Sequence, residues 1–310
     1  MIHHRYHRAG DDGQARAIQT GWDALGADIY GWLNADDRLM PGALAKVAEA
    51  FAANPEVDVV YGHALLIDGH GGFLSYFPTI TRGLDRLPVS NVICQPACFI
   101  RRRALTRIGG LDPRLHYVMD WDLWLRAHEA GSKFLFLDQV LAVVIDHPES
   151  KTNKGGEQRY AEIAACLRTY VGGRKSLASM LRHRGSHAHR QNRHLRSLLL
   201  RGSALLLDPS GRGSRGNGIG GIRLSDRRVT GACRVPLPWY EPGPATRLLV
   251  AARPFGDYRV RCNGSNLTVR GDKSGACFSV DLPPAPERLY DVEIMCAERT
   301  WRLLDLRLVR

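Results

Sequence analysis

Three short segments carry side chains able to do chemistry. Asn34-Ala35-Asp36-Asp37 sets two adjacent carboxylates directly after an apolar run at 29–33. Carboxylates just past the C-terminal end of a strand lie where α/β sheets bind ligands. Two neighbouring carboxylates also suit a hard divalent ion that keeps waters and bridges phosphates. Asn and Asp equally favour turns and helix starts, so a purely local role competes. The second segment is Asp120-Trp121-Asp122-Leu123-Trp124-Leu125-Arg126. One of its acids could serve as a general base, with the indoles shaping an apolar wall. Acids at a helix start also simply complement the helix dipole. Residues two apart on a helix point roughly 200° apart, so only one acid can readily face a pocket. The third segment is His147-Pro148, after an apolar run at 140–145, where the imidazole is either a ligand or a structural residue.

The elements that must position these residues follow from periodicity. Residues 11–26 read as a helix, 29–33 as a buried strand, and 41–53 as a helix opened by Pro41, whose missing N–H costs nothing in the first turn. Strands are expected at 57–67, 72–77, 97–101, 134–137 and 140–145, with a short helix ending at Gly109-Gly110 and a longer one over 118–130. This alternation argues an α/β sheet. Residues 157–207 read as two or three helices, and 211–221 as a Gly-rich linker. Beyond it, short alternating runs at 247–252, 258–262, 267–270, 277–282, 290–295 and 303–309 indicate an all-β sandwich or jelly roll. The expected domains are therefore 1–155, a basic helical connector and linker at 156–221, and a β-sandwich at 222–310.

At 310 residues, 44% hydrophobic and 24% charged, the chain is globular and long enough for two domains. No apolar run approaches the ~20 residues of a membrane span, and the N-terminus has no apolar core of a signal peptide. The seven cysteines are odd in number and contain no Cys-x-x-Cys pair, which fits a reducing cytosol better than a disulfide framework. The net charge of +12 concentrates at 163–207, a stretch with nine Lys or Arg and no acid. Such a stretch is a solvated face, a contact for anionic membrane at the inner leaflet, or a nucleic-acid surface. The scarcity of aromatic residues there disfavours nucleic acid.

Taken together the motifs resemble family 2 glycosyltransferases of the GT-A fold. Trp32-Leu33-Asn34-Ala35-Asp36-Asp37 followed by Pro41-Gly42-Ala43-Leu44 is similar to the family's Asp-x-Asp segment, and Asp11-Asp12-Gly13-Gln14 to the helix start upstream of it. Tyr61-Gly62, Gln95-Pro96-Ala97, Gly109-Gly110-Leu111-Asp112, the Asp120 segment and His147-Pro148-Glu149-Ser150-Lys151 follow in the family's order. The resemblance implies a partial GT-A (Rossmann-like) domain and an inverting transfer from a nucleotide-diphosphate sugar to a glycan or lipid-linked acceptor in cell-envelope polysaccharide synthesis. It implies a Mg²⁺ or Mn²⁺ ion held by Asp37 with help from His147, and Asp36 against the ribose or the metal. It makes Asp120 the base, Trp121 and Trp124 sugar-pocket walls, Gln95 an acceptor-facing residue, and Asp11 and Gln14 part of the substrate site. The family normally begins with a strand–helix unit and a base-reading Asp, for which the ten residues before Asp11 offer no counterpart. A non-catalytic remnant whose β-domain binds glycan or protein is the alternative expectation.

Overall fold

The computed structural model describes residues 13–171, 179–180, 222, 228–240, 244–253, 258–270, 277–285 and 288–309. In the first half, apolar stretches and glycine-terminated helices produce α1 (Gln14–Leu25), β1 (Ile29–Tyr30), β2 (Arg38–Leu39), α2 (Ala43–Ala53), β3 (Val59–Ile67) and β4 (Phe73–Tyr76). There follow β5 (Cys98–Arg101), α3 (Arg102–Ile108), α4 (Met119–Glu129), β6 (Phe134–Ile145), α5 (Lys151–Lys154) and α6 (Gly156–Tyr170). The strands form one mixed sheet in the order β1-β5-β3-β6-β2, with β4 on the far end of β3. Its centre is the parallel pair β3 and β6, and every other pairing is antiparallel. Val59, Val60, Ala64, Leu65, Leu141, Ala142 and Val143 are wholly buried there, which is why these runs read as continuous rather than alternating.

The apolar runs at 134–137 and 140–145 belong to one strand, β6, whose register against β3 shifts around Gly62 and His63. A Cβ on Gly62 would meet the Gln139 carbonyl oxygen at 2.7 Å, so the glycine lets the irregular backbone of β6 approach. The expected strand at 29–33 is shorter than its apolar run, because only Ile29 and Tyr30 pair with β5. At Gly31 a Cβ would lie 2.9 Å from the Phe99 ring, and from there the chain leaves the sheet toward Asn34.

The second half builds β7 (Arg228–Pro238), β8 (Arg247–Arg253), β9 (Tyr258–Cys262), β10 (Ser265–Leu267), β11 (Val269–Arg270), β12 (Cys277–Asp281) and β13 (Leu289–Val309). All their pairings are antiparallel, in the order β10-β9-β13-β8-β12-β11, with β7 also on β13. β13 organises this sheet. Its first part lies between β7 and β9, and its last part pairs β8. Tyr290, Val292 and Ile294 point inward at alternate positions, as do Trp301 and Leu303 after the irregularity between Met295 and Thr300, and a second irregularity between Leu303 and Asp305 resets the alternation to Leu306 and Leu308. β7 has no counterpart among the sequence expectations. Gly231, Pro236 and Pro238 interrupt it, yet Val229, Cys233, Val235 and Leu237 are buried.

The two sheets share one apolar core that includes Phe73, Tyr76, Val235 and Leu248. Tyr76 Oη donates to the Arg234 carbonyl at 2.8 Å, and Tyr240 Oη donates to that of Leu39 at 3.2 Å. The Arg38 guanidinium lies 4.4 Å over the Tyr240 ring. Apart from α6 and the short piece at 179–180, the expected basic connector and linker lie outside the described residues. No helix among the described residues is long and apolar enough to cross a membrane.

Candidate active site

The Asn34 turn is held by a chain of hydrogen bonds that crosses three elements. The Asp37 N–H donates to the Asn34 carbonyl at 3.1 Å, closing the turn after β1. Lys151 Nζ, on α5, donates to Gln14 Oε1 at 2.7 Å. Gln14, the first residue of α1, passes its Nε2 to Asn34 Oδ1 at 2.7 Å. Asn34 Nδ2 then donates to Asp37 Oδ2 at 3.0 Å and to Gln95 Oε1 at 3.2 Å. Gln95, buried just before β5, donates to the Trp32 carbonyl and fixes the segment leading into the turn. Every amide in this relay uses both its donor and its acceptor, which sets the flip of each side chain.

The two carboxylates end up in different surroundings. Asp37 is 8% exposed, and burial pushes its carboxyl up to about 6, against the opposing Asn34 hydrogen bond. The Asp36 charge raises it further and His147 lowers it. Asp36 faces outward, with His147 Nε2 at 3.2 Å from its Oδ2. His147 sits on the loop after β6, where Asn153 Nδ2 bonds both Asp146 Oδ1 and the His147 carbonyl at 2.8 Å.

The charges of Asp120 and Asp37 both act on buried Cys94. The Cys94 thiol is driven well up, first by burial and then by the charges of Asp37 and Asp120. Asp120 itself is half-buried at the start of α4, and desolvation raises its carboxyl despite the Trp121 N–H and the Asn91 side chain. Asn91 Nδ2 donates to Asp120 Oδ2 at 2.9 Å. Arg159 and Lys151 carry positive charge toward the same carboxylate, and burial holds both below their ordinary range. The α4 start is anchored from α6, where Glu162 Oε2 accepts the Tyr117 N–H at 2.7 Å. Asp122 points away, paired with Arg126 at 2.7 Å and accepting from Tyr170 Oη at 3.3 Å.

Thus Gln14, Asp36, Asp37, Gln95 and His147 come together, with Asp120 close by, whereas Asp11 lies outside the described residues. The expectation for the two tryptophans is corrected. Trp121 and Trp124 are 2% and 0% exposed, core residues rather than pocket walls. Trp121 Nε1 donates to the Leu87 carbonyl at 2.7 Å, and Trp124 stacks on Trp32 at 6.0 Å. Their spacing of three is that of one helix face, and here that face meets the core. Asn34 and Lys151 belong to the motifs noted in the sequence but had no role there, and Asn91 carried no local signal at all.

Two adjacent carboxylates and an imidazole fit a hard divalent ion that takes most of its coordination from phosphate oxygens and water. Among the described residues no group of three or more His, Cys, Asp or Glu is arranged around one point.

Residues 2–109 match Glycosyl transferase family 2. The O-antigen biosynthesis protein RfbC of Myxococcus xanthus is 34% identical over 133 residues, 41% of this chain. The chain spans only 10% of that relative. Among solved structures, S. aureus TarS 1-349 aligns at TM-score 0.40 and 14% identity, over 64% of this chain and 61% of its own. The mannosyltransferase PcManGT from Pyrobaculum calidifontis, solved with GDP-Man and Mn²⁺, aligns at 0.32 and 17% identity, covering 65% and 56%.

Proposed function

We propose that this chain, whose residues 2–109 match Glycosyl transferase family 2, moves a sugar from a nucleotide-diphosphate sugar to a hydroxyl of a glycan or lipid-linked acceptor. The transfer inverts the anomeric centre and serves cell-envelope polysaccharide synthesis at the inner face of the membrane. The observation that carries this reading is the single relay joining Gln14, Asn34, Asp37 and Gln95, with the Asp36–His147 pair at its rim.

Asp37 and Asp36 would hold a Mg²⁺ or Mn²⁺ ion, with His147 released from Asp36 to help. When bound, that ion neutralises negative charge on the departing diphosphate. Gln14 and Asn34 keep the turn rigid, so the carboxylates meet the donor without reorganising. Lys151 adds a positive charge on the same side. Asp120 takes the acceptor hydroxyl proton as the oxygen attacks the anomeric carbon. Its raised carboxyl brings its basicity nearer to neutral pH, where a general base works best. Asn91 donates to Oδ2 and, with the Trp121 N–H, orients the carboxylate.

Calorimetry of the full chain with a panel of nucleotide-diphosphate sugars, with and without Mn²⁺, tests this. One donor should bind in a Mn²⁺-dependent way, and Asp37→Asn should abolish that dependence. Unchanged Mn²⁺-dependent binding in the variant would remove Asp37 from the site. Binding of no donor at all would favour a non-catalytic glycan- or protein-binding role.

A further inference from the structure

Two cations, Lys151 and Arg159, gather at Tyr117 in the loop that leads into α4 and Asp120. On α6, Arg159 and Glu162 are three residues apart and so share a helix face. Glu162 turns its carboxylate to that loop, accepting the N–H groups of His116, Tyr117 and Val118 at 3.1, 2.7 and 3.3 Å. Arg159, one turn earlier on the same face, also reaches the loop. Its stem and the Tyr117 ring both crowd buried Gly155, where a Cβ would meet Arg159 Cβ at 2.7 Å and Tyr117 Cε1 at 2.8 Å. Lys151 Nζ lies 5.8 Å from the centre of the same ring.

A guanidinium carries five N–H donors and an ammonium three. Among the described residues the Arg159 guanidinium has no hydrogen-bond acceptor and no ion pair. Its contacts are the Tyr160 ring at 5.9 Å and the charge of Asp120. Lys151 spends one N–H on the neutral Gln14 amide, and no acid pairs with it. The two acids whose charge reaches Lys151 are engaged elsewhere, Glu162 by three backbone N–H groups and Asp120 by Asn91 and the Trp121 N–H. Both cations are half-buried, so each has given up part of its hydration with no anion in return. The charges felt at Asp37 are those of Asp36 and His147, whereas the charge felt at Asp120 is that of Arg159. The unpaired cations therefore belong to the side of the site where the base stands, away from the paired carboxylates.

We propose that Lys151 and Arg159 form a phosphate-binding subsite for the acceptor, which carries a phosphate beside the hydroxyl that Asp120 activates. An arginine fork takes two phosphate oxygens at once, and a lysine adds a compact charge next to it. The phosphate belongs to a phosphodiester-linked chain or to a lipid-linked diphosphate. This deepens the proposed function and rests on it for the reading of the phosphate's bearer as acceptor.

Binding to the full chain is measured without sugar nucleotide or metal, using poly(glycerol phosphate), farnesyl diphosphate and neutral dextran. One of the two phosphate compounds should bind and dextran should not; which one binds tells a chain phosphodiester from a lipid diphosphate. Arg159→Met and Lys151→Met keep an apolar stem and remove the charge, so each should weaken that binding at least ~10-fold. Arg159→Lys should recover part of the loss, because it restores the charge without the fork. Arg168→Ala, an exposed position on α6 with the same change in net charge, should alter binding less than ~2-fold. The methionine variants should melt no lower than the parent, since neither cation is paired in the free chain. Binding of neither phosphate compound, or an equal loss in Arg168→Ala, would overturn the proposal. A lower melting temperature with unchanged binding would make the two cations structural and overturn it as well. Displacement of the bound phosphate compound by UDP or GDP in metal-free buffer would assign the cations to the donor diphosphate instead. Because no sugar nucleotide is present, failure here is separate from failure of Mn²⁺-dependent donor binding.

Discussion

In the N-terminal sheet the polar side chains that matter are buried or half-buried and bonded to one another. In the C-terminal sheet they stand outward, and the buried positions described on β13, Tyr290, Val292, Ile294, Trp301, Leu303, Leu306 and Leu308, are apolar. The two arrangements carry different costs. Burying Asp37 and Asp120 is unfavourable for their charged forms, and the raised carboxyls record that cost. Exposed charged side chains carry a much smaller cost, because water screens their mutual interactions. Chemistry on a reacting centre needs the first kind of placement, because geometry and proton affinity must be fixed together.

The largest effect that would break this contrast is on turnover. Asp120→Asn keeps the shape and the Asn91 neighbour but cannot take a proton, so transfer should fall by ~10²–10⁴-fold with little change in donor affinity. Steady-state rates and calorimetry of the same preparation separate the two quantities. A variant as fast as the parent would mean that the buried carboxylate is structural, and the two sheets would then differ only in packing. Asp122→Asn should leave turnover nearly intact, since Asp122 is engaged by Arg126 and Tyr170.

The next effect concerns stability. Trp124 is fully buried against Trp32, and its Nε1 has no hydrogen-bond partner among the described residues. Trp124→Ala should cost ~3–5 kcal/mol in chemical denaturation, the usual range for an emptied aromatic site. Trp124→Phe should cost clearly less, because it also removes an unsatisfied N–H. If the phenylalanine variant kept its stability but lost sugar affinity, the ring would be a pocket wall after all.

The tryptophans also mark what could and could not be seen in the sequence. The Asn34–Asp37 turn, the Asp120 helix and His147 were visible because each is a short contiguous motif next to a periodic segment. The strands of the second sheet were visible as alternation, apart from β7, where Gly231 and two prolines masked the pattern. Whether Trp121 and Trp124 face a ligand or the core was not visible, since one helix face serves either purpose at the same spacing. The partners of Asp120 were hidden for another reason: Asn91 and Arg159 come from segments 29 and 39 residues away in sequence. Strand register was hidden too.

A smaller effect tests a buried charge that has no part in the site. Asp58 is 4% exposed at the entry to β3. Burial works to raise its carboxyl, but the Arg103 hydrogen bond, the Lys133 N–H and the charges of Arg103 and Arg107 outweigh it and hold it below the ordinary range. A carboxyl lowered on folding contributes stability above its unfolded value near ~4, and that contribution is lost as pH falls through the folded value. Asp58→Asn should therefore cost ~1–3 kcal/mol at neutral pH, moderated because the Arg103 side chain is 46% exposed. The gap between parent and variant melting temperatures should close below about pH 4. A gap independent of pH would mean that shape, not charge, is what Asp58 supplies.

The smallest expected effect lies at the joint between the two regions. Tyr76 is 3% exposed on β4, and its hydroxyl donates to the Arg234 carbonyl on β7 at 2.8 Å. Burial pushes the phenol well above its ordinary range, so it remains a neutral donor at any working pH. Tyr76→Phe keeps the ring against Phe73 and removes only the hydrogen bond, which should cost ~0.5–1.5 kcal/mol. The shared core should still unfold as one unit, so fluorescence of Trp124 on one side and Trp301 on the other should report coincident transitions, both shifted by the same amount. If the Trp301 signal moved alone, the two sheets would be separately stable and the polar bridge between them weak. If the transitions stayed together without any shift, the apolar contact around Phe73 and Tyr76 would be what couples the two sheets.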